Sequence, residues 1–388
     1  MNIVLLSSAG VLLGAVALAG CADHPIGPAA TANLAGDVAI AASANVVCDV
    51  DAAPWEGDAD PAVLNDLATG GALRVGINYG NPNNATQNPV TGQLSGVAVD
   101  LACTLAHGTH VPLTALGYPG VSPLLASLLN SQVDVAFTLA SAGPSVATAI
   151  SHLGVENTYL VPGASPFQSV ADVDAPGVLI SVAQGNSPDV YLSRTLKNAT
   201  LVRAATVPQA LALLGSGQVN AFAGSRSAEA AFIATSFPTG RMLPDNFLIA
   251  DIAASLPLGR AQGLGYVNEF LDWSKTSGLV GLAIQRAGLI GVLVPPPPPP
   301  EQRIGFLANH VARLVTNGVL NQGQGNALVV KLQGALEKLA VGETESAMNK
   351  VTAFINQVDA FRDAGILSEA QSGSLLAIAR DVVGRATA

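Results

Sequence analysis

From residue 73 onward, short apolar runs alternate with longer stretches of helical spacing. Leu73-Arg74-Val75-Gly76-Ile77-Asn78 has the length of a buried strand and ends in Asn, while Gly96 to Ala106 has helical length and spacing. This alternation predicts an α/β fold, with a mostly parallel sheet covered by helices. Leu128-Leu129-Asn130-Ser131-Gln132-Val133-Asp134-Val135-Ala136-Phe137 is echoed by Leu213-Leu214-Gly215-Ser216-Gly217-Gln218-Val219-Asn220-Ala221-Phe222. Each copy reads as a helix end, a polar turn and a buried strand, which predicts two similar lobes.

Beyond residue 303 the period changes. Phe306, Val311, Leu314 and Val315, then Leu328, Leu332, Leu336 and Leu339, then Met348, Val351, Phe354, Ile355, Val358 and Phe361, and finally Leu375, Ile378 and Val382 recur at three and four. Each set marks one amphipathic helix, so a small all-α C-terminal bundle of four is expected. Two turns repeat at a constant offset, Asn317-Gly318-Val319-Leu320-Asn321 and Ala364-Gly365-Ile366-Leu367-Ser368. In both, Gly is placed as the helix C-cap and Asn321 or Ser368 as the next N-cap, with Gln324 or Gln371 set for a capping box.

Six consecutive prolines, Pro295 to Pro300, can enter neither helix nor sheet. They predict a stiff polyproline II rod of ~19 Å holding two separate domains apart. Ala22 to Asn45 is rich in Ala and Gly with little periodicity, the pattern of a flexible tether, and order is expected from near Val63. The expected organisation is therefore a signal peptide over 1–20, a tether over 21–62, an α/β body over 63–292, a proline linker over 293–302 and a helical bundle over 303–388.

At 388 residues the chain exceeds one ordinary domain, and with 49% apolar and 11% charged residues it has ample core material. A net charge of -10 argues against a nucleic-acid partner, since phosphate binding draws on clustered Lys and Arg. The first twenty residues are apolar and small and end in Leu18-Ala19-Gly20-Cys21, the pattern cut before a lipid-modified cysteine. Cys21 would then become a lipidated N-terminus on a bacterial membrane, in the periplasm or at the cell surface. Ala22, where an Asp would favour the inner membrane, slightly favours the outer one. Cys48 and Cys103 remain in an oxidising compartment, and two readings stay open: a disulfide between them, or Cys103 as a small buried hydrophobe in its apolar helical run.

No G-x-S-x-G, Walker loop or H-E-x-x-H occurs, so neither a catalytic nor a cofactor site is expected. His107 and His110 fall in a predicted loop without an acidic neighbour and lack the third ligand a metal site usually needs. Glu156 near Tyr159 is the one tempting carboxylate for an enzyme.

Gly71-Ala72-Leu73-Arg74-Val75-Gly76-Ile77-Asn78, Gly96-Val97-Ala98-Val99-Asp100-Leu101 and Gln132-Val133-Asp134-Val135-Ala136 together resemble the family 3 extracellular solute-binding proteins of ABC transporters, the class that includes amino-acid receptors. Gly177 to Val182, Gly185-Asn186-Ser187 and Gly278-Leu279-Val280 extend the resemblance through the second lobe. It implies a two-lobed, type II periplasmic binding protein-like fold that closes on a small-molecule ligand and is sensed by the transmembrane subunits of an ABC permease. Ala353 to Val358 and Gly365 to Ser368 resemble a FIMAH domain, a helical module of exported bacterial proteins. A protein partner for these helices is one reading of their role.

The resemblance also places the ligand. Tyr79 stands where the family commonly sets an aromatic against its ligand, Asn81 lies in the Asn-rich loop that follows, and Thr138 and Ser141 follow the cleft strand with hydroxyls available. That loop, Asn78 to Asn88, also reads as a solvated turn. Gly185, Asn186 and Ser187 precede a helix, either as an anion-binding turn or as a plain cap by Ser187 ahead of Pro188. The family's carboxylate-gripping Arg falls on Val146, and its acidic partner for the ligand ammonium falls on Ser225, with Arg226 one position on. Both charged clamps are therefore missing, which argues against tight binding of a zwitterion. Two functions follow as expectations: an importer's receptor for a small polar solute, or a surface sensor or interaction lipoprotein that has lost transport.

Overall fold

The computed structural model describes residues 46, 48, 55–139 and 143–386. The first lobe holds α1 (Pro61–Leu67), β1 (Leu73–Asn78), the hairpin of β2 (Thr86–Gln87) and β3 (Leu94–Ser95), α2 (Val97–Thr109), β4 (Leu113–Tyr118), α3 (Val121–Leu129) and β5 (Val135–Leu139). A 17-residue strand, β6 (Val146–Pro162), crosses to the second lobe. There follow β7 (Leu179–Ala183), α4 (Ser187–Thr195), β8 (Thr200–Ala204), α5 (Val207–Gly215), β9 (Ala221–Ser225), α6 (Arg226–Thr235) and β10 (Gly240–Met242). The chain returns along β11 (Leu248–Pro257) to α7 (Ala261–Thr276), α8 (Leu279–Arg286) and β12 (Val292–Leu293).

The two lobes share one topology. β1 pairs in parallel with β4 and β5, and β7 pairs in parallel with β8 and β9. β11 runs antiparallel to both β5 and β6, and β6 runs antiparallel to β9, so the parallel strands of the lobes point in opposite senses. Residues 146–153 of β6 lie in the first lobe beside β11, and residues 157–160 lie in the second beside β9. The C-terminal strand ends of each lobe therefore point toward the other lobe, the geometry in which open α/β sheets bind ligands.

The echo in the sequence is a repeat in the structure. Ser131 (φ 56°) and Gly217 (φ 73°) end α3 and α5 in the left-handed region, and Gln132 N and Gln218 N then bond back to Ser127 O and Leu213 O. The next polar residue of each copy holds the edge of the central strand. Asp134 Oδ2 accepts from Arg74 N at 3.2 Å, and Asn220 Oδ1 accepts from Leu179 N at 2.8 Å. Asp134 also binds Arg74 and Arg260 side chains, which keeps its buried charge paired.

Four helices close the chain, α9 (Pro300–Thr316), α10 (Gln322–Ala340), α11 (Thr344–Asp363) and α12 (Glu369–Ala386). Gly318 (φ 75°) and Gly365 (φ 68°) end α9 and α11, Leu320 and Leu367 are buried beyond them, and both capping boxes form, Asn321 with Gln324 and Ser368 with Gln371.

Two expectations need correction. The proline run is not a spacer between separate domains, because α9 starts at Pro300 itself and α9 and α12 pack against α7, extending the first lobe's core into the bundle without a break. Proline's fixed φ suits the first turn of a helix as well as a rod. Order also begins before Val63. Trp55 is fully buried, with its ring centroid 4.9 Å from both Tyr266 and Phe270, and Gly108 of α2 leaves the space its ring fills. Cys48 is bonded to Cys103 of α2. Residues 55–60 thus form a strap between the first lobe and the helices: Glu56 N donates to Ser374 Oγ of α12, and Arg313 Nε of α9 donates to Gly57 O. Signals for this were thin, since a lone Trp among Ala, Asp and Pro carries no periodicity.

Candidate ligand-binding cleft

On the first lobe, β1 runs out into the Asn-rich loop. Tyr79 N donates to Tyr118 O, which extends the β1–β4 ladder by one residue, and the half-buried Tyr79 ring rests against Gly117. Asn81 Oδ1 accepts from Asn83 N and Nδ2 and is thus committed to shaping the turn. Asn84 Nδ2 donates to Asn78 O and Phe137 O, tying the loop across the ends of β1 and β5. Asn83, Asn84 and Ala85 are buried, so this is not only a solvated turn.

Among the described residues, three polar atoms here have no partner: Asn83 Oδ1, Asn84 Oδ1 and Thr138 Oγ1, in residues 4%, 1% and 2% exposed. A buried polar atom without a hydrogen bond costs about 1–3 kcal/mol, which makes these three groups candidates for contact with a bound molecule. Thr138 was among the residues expected from the sequence; Asn83 and Asn84 were not, and only their place in the Asn-rich run pointed to them. Ser141 and Cys21 lie outside the described residues.

On the second lobe the polar groups are mostly spent on the fold. Gly185 (φ 76°) turns the chain into α4, whose N-cap is Asn186 rather than Ser187: Asn186 Oδ1 accepts from Asp189 N at 3.0 Å. Asp189 Oδ2 accepts from Gly185 N at 2.9 Å, so the carboxylate of the chain itself already sits over the N–H that an anion would use. Arg203 holds that carboxylate from the other side at 2.8 Å. Ser187 follows as the half-buried first residue of the helix. Ser225 is likewise an N-cap, its Oγ accepting from Ala228 N.

Arg226 is engaged by the fold. Its guanidinium donates to Asn246 Oδ1, Pro244 O and Asp245 O and pairs with Glu156 of β6 at 3.3 Å, stapling the start of α6 to the return loop. Glu156, the tempting carboxylate, is the other half of that pair. Glu229, one turn on, is fully buried, and burial pushes its carboxyl well above the usual range. His107 and His110 also change setting: α2 runs through His107 to Thr109, His110 is its left-handed C-cap, and Glu56 pairs with His110 at 2.9 Å.

The same arrangement of lobes recurs in solved structures. A Wolinella succinogenes protein described as a binding component of an ABC transporter, complexed with lysine, is 22% identical with a TM-score of 0.51, covering 56% of this chain and 95% of its own. An amino acid ABC transporter substrate-binding protein from Streptococcus pneumoniae, bound to L-arginine, is 21% identical with a TM-score of 0.50, covering 57% of this chain and 97% of its own. The α/β body has the two-lobed periplasmic binding protein fold. Comparison with protein-family models and with curated proteins finds no match. Among the described residues, the first-lobe strand ends hold amide and hydroxyl groups without a partner, while the second-lobe turns are capped by their own side chains.

Proposed function

We propose that this chain is the extracytoplasmic receptor of an ABC importer, closing its two lobes on a small polar solute and performing no reaction on it. The observation that carries this reading is the pair of crossing strands, β6 and β11, which join two parallel-stranded lobes whose strand ends converge, the layout of a hinge. The solute would be bound through neutral groups, with Thr138, Asn83 and Asn84 on one side and Tyr79 as an apolar wall. In this reading Cys21 carries the lipid that keeps the receptor on a bacterial membrane, and the permease reads the closed form. The helical module, FIMAH-like by sequence, packs on α7 of the first lobe; the second lobe keeps cores of its own, an arrangement compatible with closure.

Thermal melting across a library of polar metabolites tests this. A solute at one hundred times its Kd adds about 2.7 kcal/mol, a clear rise in Tm, and Thr138→Val should remove most of that rise while leaving the ligand-free Tm near its starting value. If no solute raises Tm and none makes the protein more compact in solution scattering, the receptor reading fails.

A further inference from the structure

His310 of α9 is buried at the junction of three segments. Its Nδ1 lies 2.6 Å from Glu269 Oε1 on α7, and its Nε2 lies 3.1 Å from Asp58 Oδ2 on the strap. A neutral imidazole has one N–H and one lone pair; only the imidazolium offers an N–H to both carboxylates. Arg313, one turn along α9, donates from Nη2 to Glu269 Oε2 at 2.6 Å and lies 5.0 Å over the Tyr266 ring. With His310 charged, two buried carboxylates meet two cations. With it neutral, one carboxylate faces a ring lone pair, and the two acids share a single cation.

We propose that His310 is a pH-operated clasp, which when protonated locks the helical module and the 55–60 strap onto the first lobe and when deprotonated lets that junction loosen. The remaining polar groups around the clasp do not substitute for it. Gln371 of α12 donates to Asp58 Oδ1 and Asn317 donates to Asp58 O, which hold the strap but carry no charge. Glu56 is engaged by His110 at the end of α2, and Tyr266 OH donates to Gly108 O. The ion pairs of Arg303 with Asp272 and Asp381 join the same helices elsewhere along α9.

Burial alone would push the His310 imidazole down, but the Glu269 carboxylate and the bonds to Asp58 and Glu269 outweigh it and hold it above its ordinary value. A group with its folded pKa raised contributes stability that is full below the unfolded value, about 6.5, and is lost as pH rises through the folded value. Asp58 and Glu269 are held below their ordinary values, so their share is lost in strong acid; the junction is therefore tightest from above the ordinary carboxylate range to neutral pH and weakens on the alkaline side.

The chain carries its own reporter: its two tryptophans, Trp55 and Trp273, lie at this junction with ring centroids 6.2 Å apart. Tryptophan emission and Tm of the full chain, followed from about pH 6 to 9, upward from the ordinary His value, should show a red shift and a Tm fall of several degrees on the alkaline side. His310→Gln should reduce both to the part that Lys275 alone leaves. Asp58→Asn leaves one carboxylate, which a neutral imidazole satisfies, and should shrink the response; it also serves if His310→Gln does not fold. Lys275, pushed down to about 8 by burial, titrates in every variant and cancels in the comparison. His110→Asn should keep the wild-type response. The proposal is overturned if the wild-type chain shows no alkaline change, if the change persists undiminished in His310→Gln or Asp58→Asn, or if His110→Asn abolishes it.

Discussion

Val146 packs with Leu124, Leu128, Val133 and Ala136 in the first lobe, 7% exposed. The missing carboxylate grip is thus no vacancy awaiting an arginine but a piece of core. Val146→Arg should cost about 3 kcal/mol or more, as a charge buried without a partner does, and should create no affinity for amino acids; calorimetric titration with L-arginine alongside a denaturation curve checks both. Single residues were read from the sequence with uneven success for a physical reason. A side chain's type tells what it can bond, but not with which partner, and only the distances to Ala228 N and Asp189 N show that Ser225 and Asn186 cap helices. Arg226 was legible as a cation and not as a staple, because its partners come from residues 156 and 244–246.

Elements were far more legible than sites. The four C-terminal helices follow from apolar spacing, and their turns from Gly318 and Gly365 in the left-handed region, because helix period and capping are local physics. The helix-turn-strand echo was legible for the same reason. The strap was not: residues 55–60 have no repeat, and what orders them is a disulfide at Cys48, a buried ring at Trp55 and an ion pair at Asp58, all to distant elements. The disulfide spans 55 residues of sequence, and a link of that kind typically contributes about 2–4 kcal/mol. Reduction, or Cys48→Ala, should therefore lower stability by that order in a urea titration. Because Cys48 anchors the strap to α2, hydrogen exchange should speed up first in residues 55–60.

Across the whole molecule, the helical module and first lobe share one core, crossed by buried ion pairs of Arg303 with Asp272 and Arg313 with Glu269. Removing residues 303–388 would leave Glu269 and Asp272 without their cations and uncover Trp55, Trp273 and Phe270. Breaking one buried pair typically costs about 3–5 kcal/mol, so the truncated chain should aggregate or melt far below the full chain in gel filtration and calorimetry, where a true rod-linked module would be dispensable. The sequence by itself determined the alternation of strands and helices, the two-lobed α/β plan and the helical bundle, since these rest on periodicity and turn chemistry within a few residues of each other. Only the tertiary structure decided that the prolines lead into a docked helix, that the cysteines meet, which polar groups of the cleft are spent on the fold, and that His310 lies between two acids. Each of those depends on contacts between residues far apart in the chain, where pattern carries no distance.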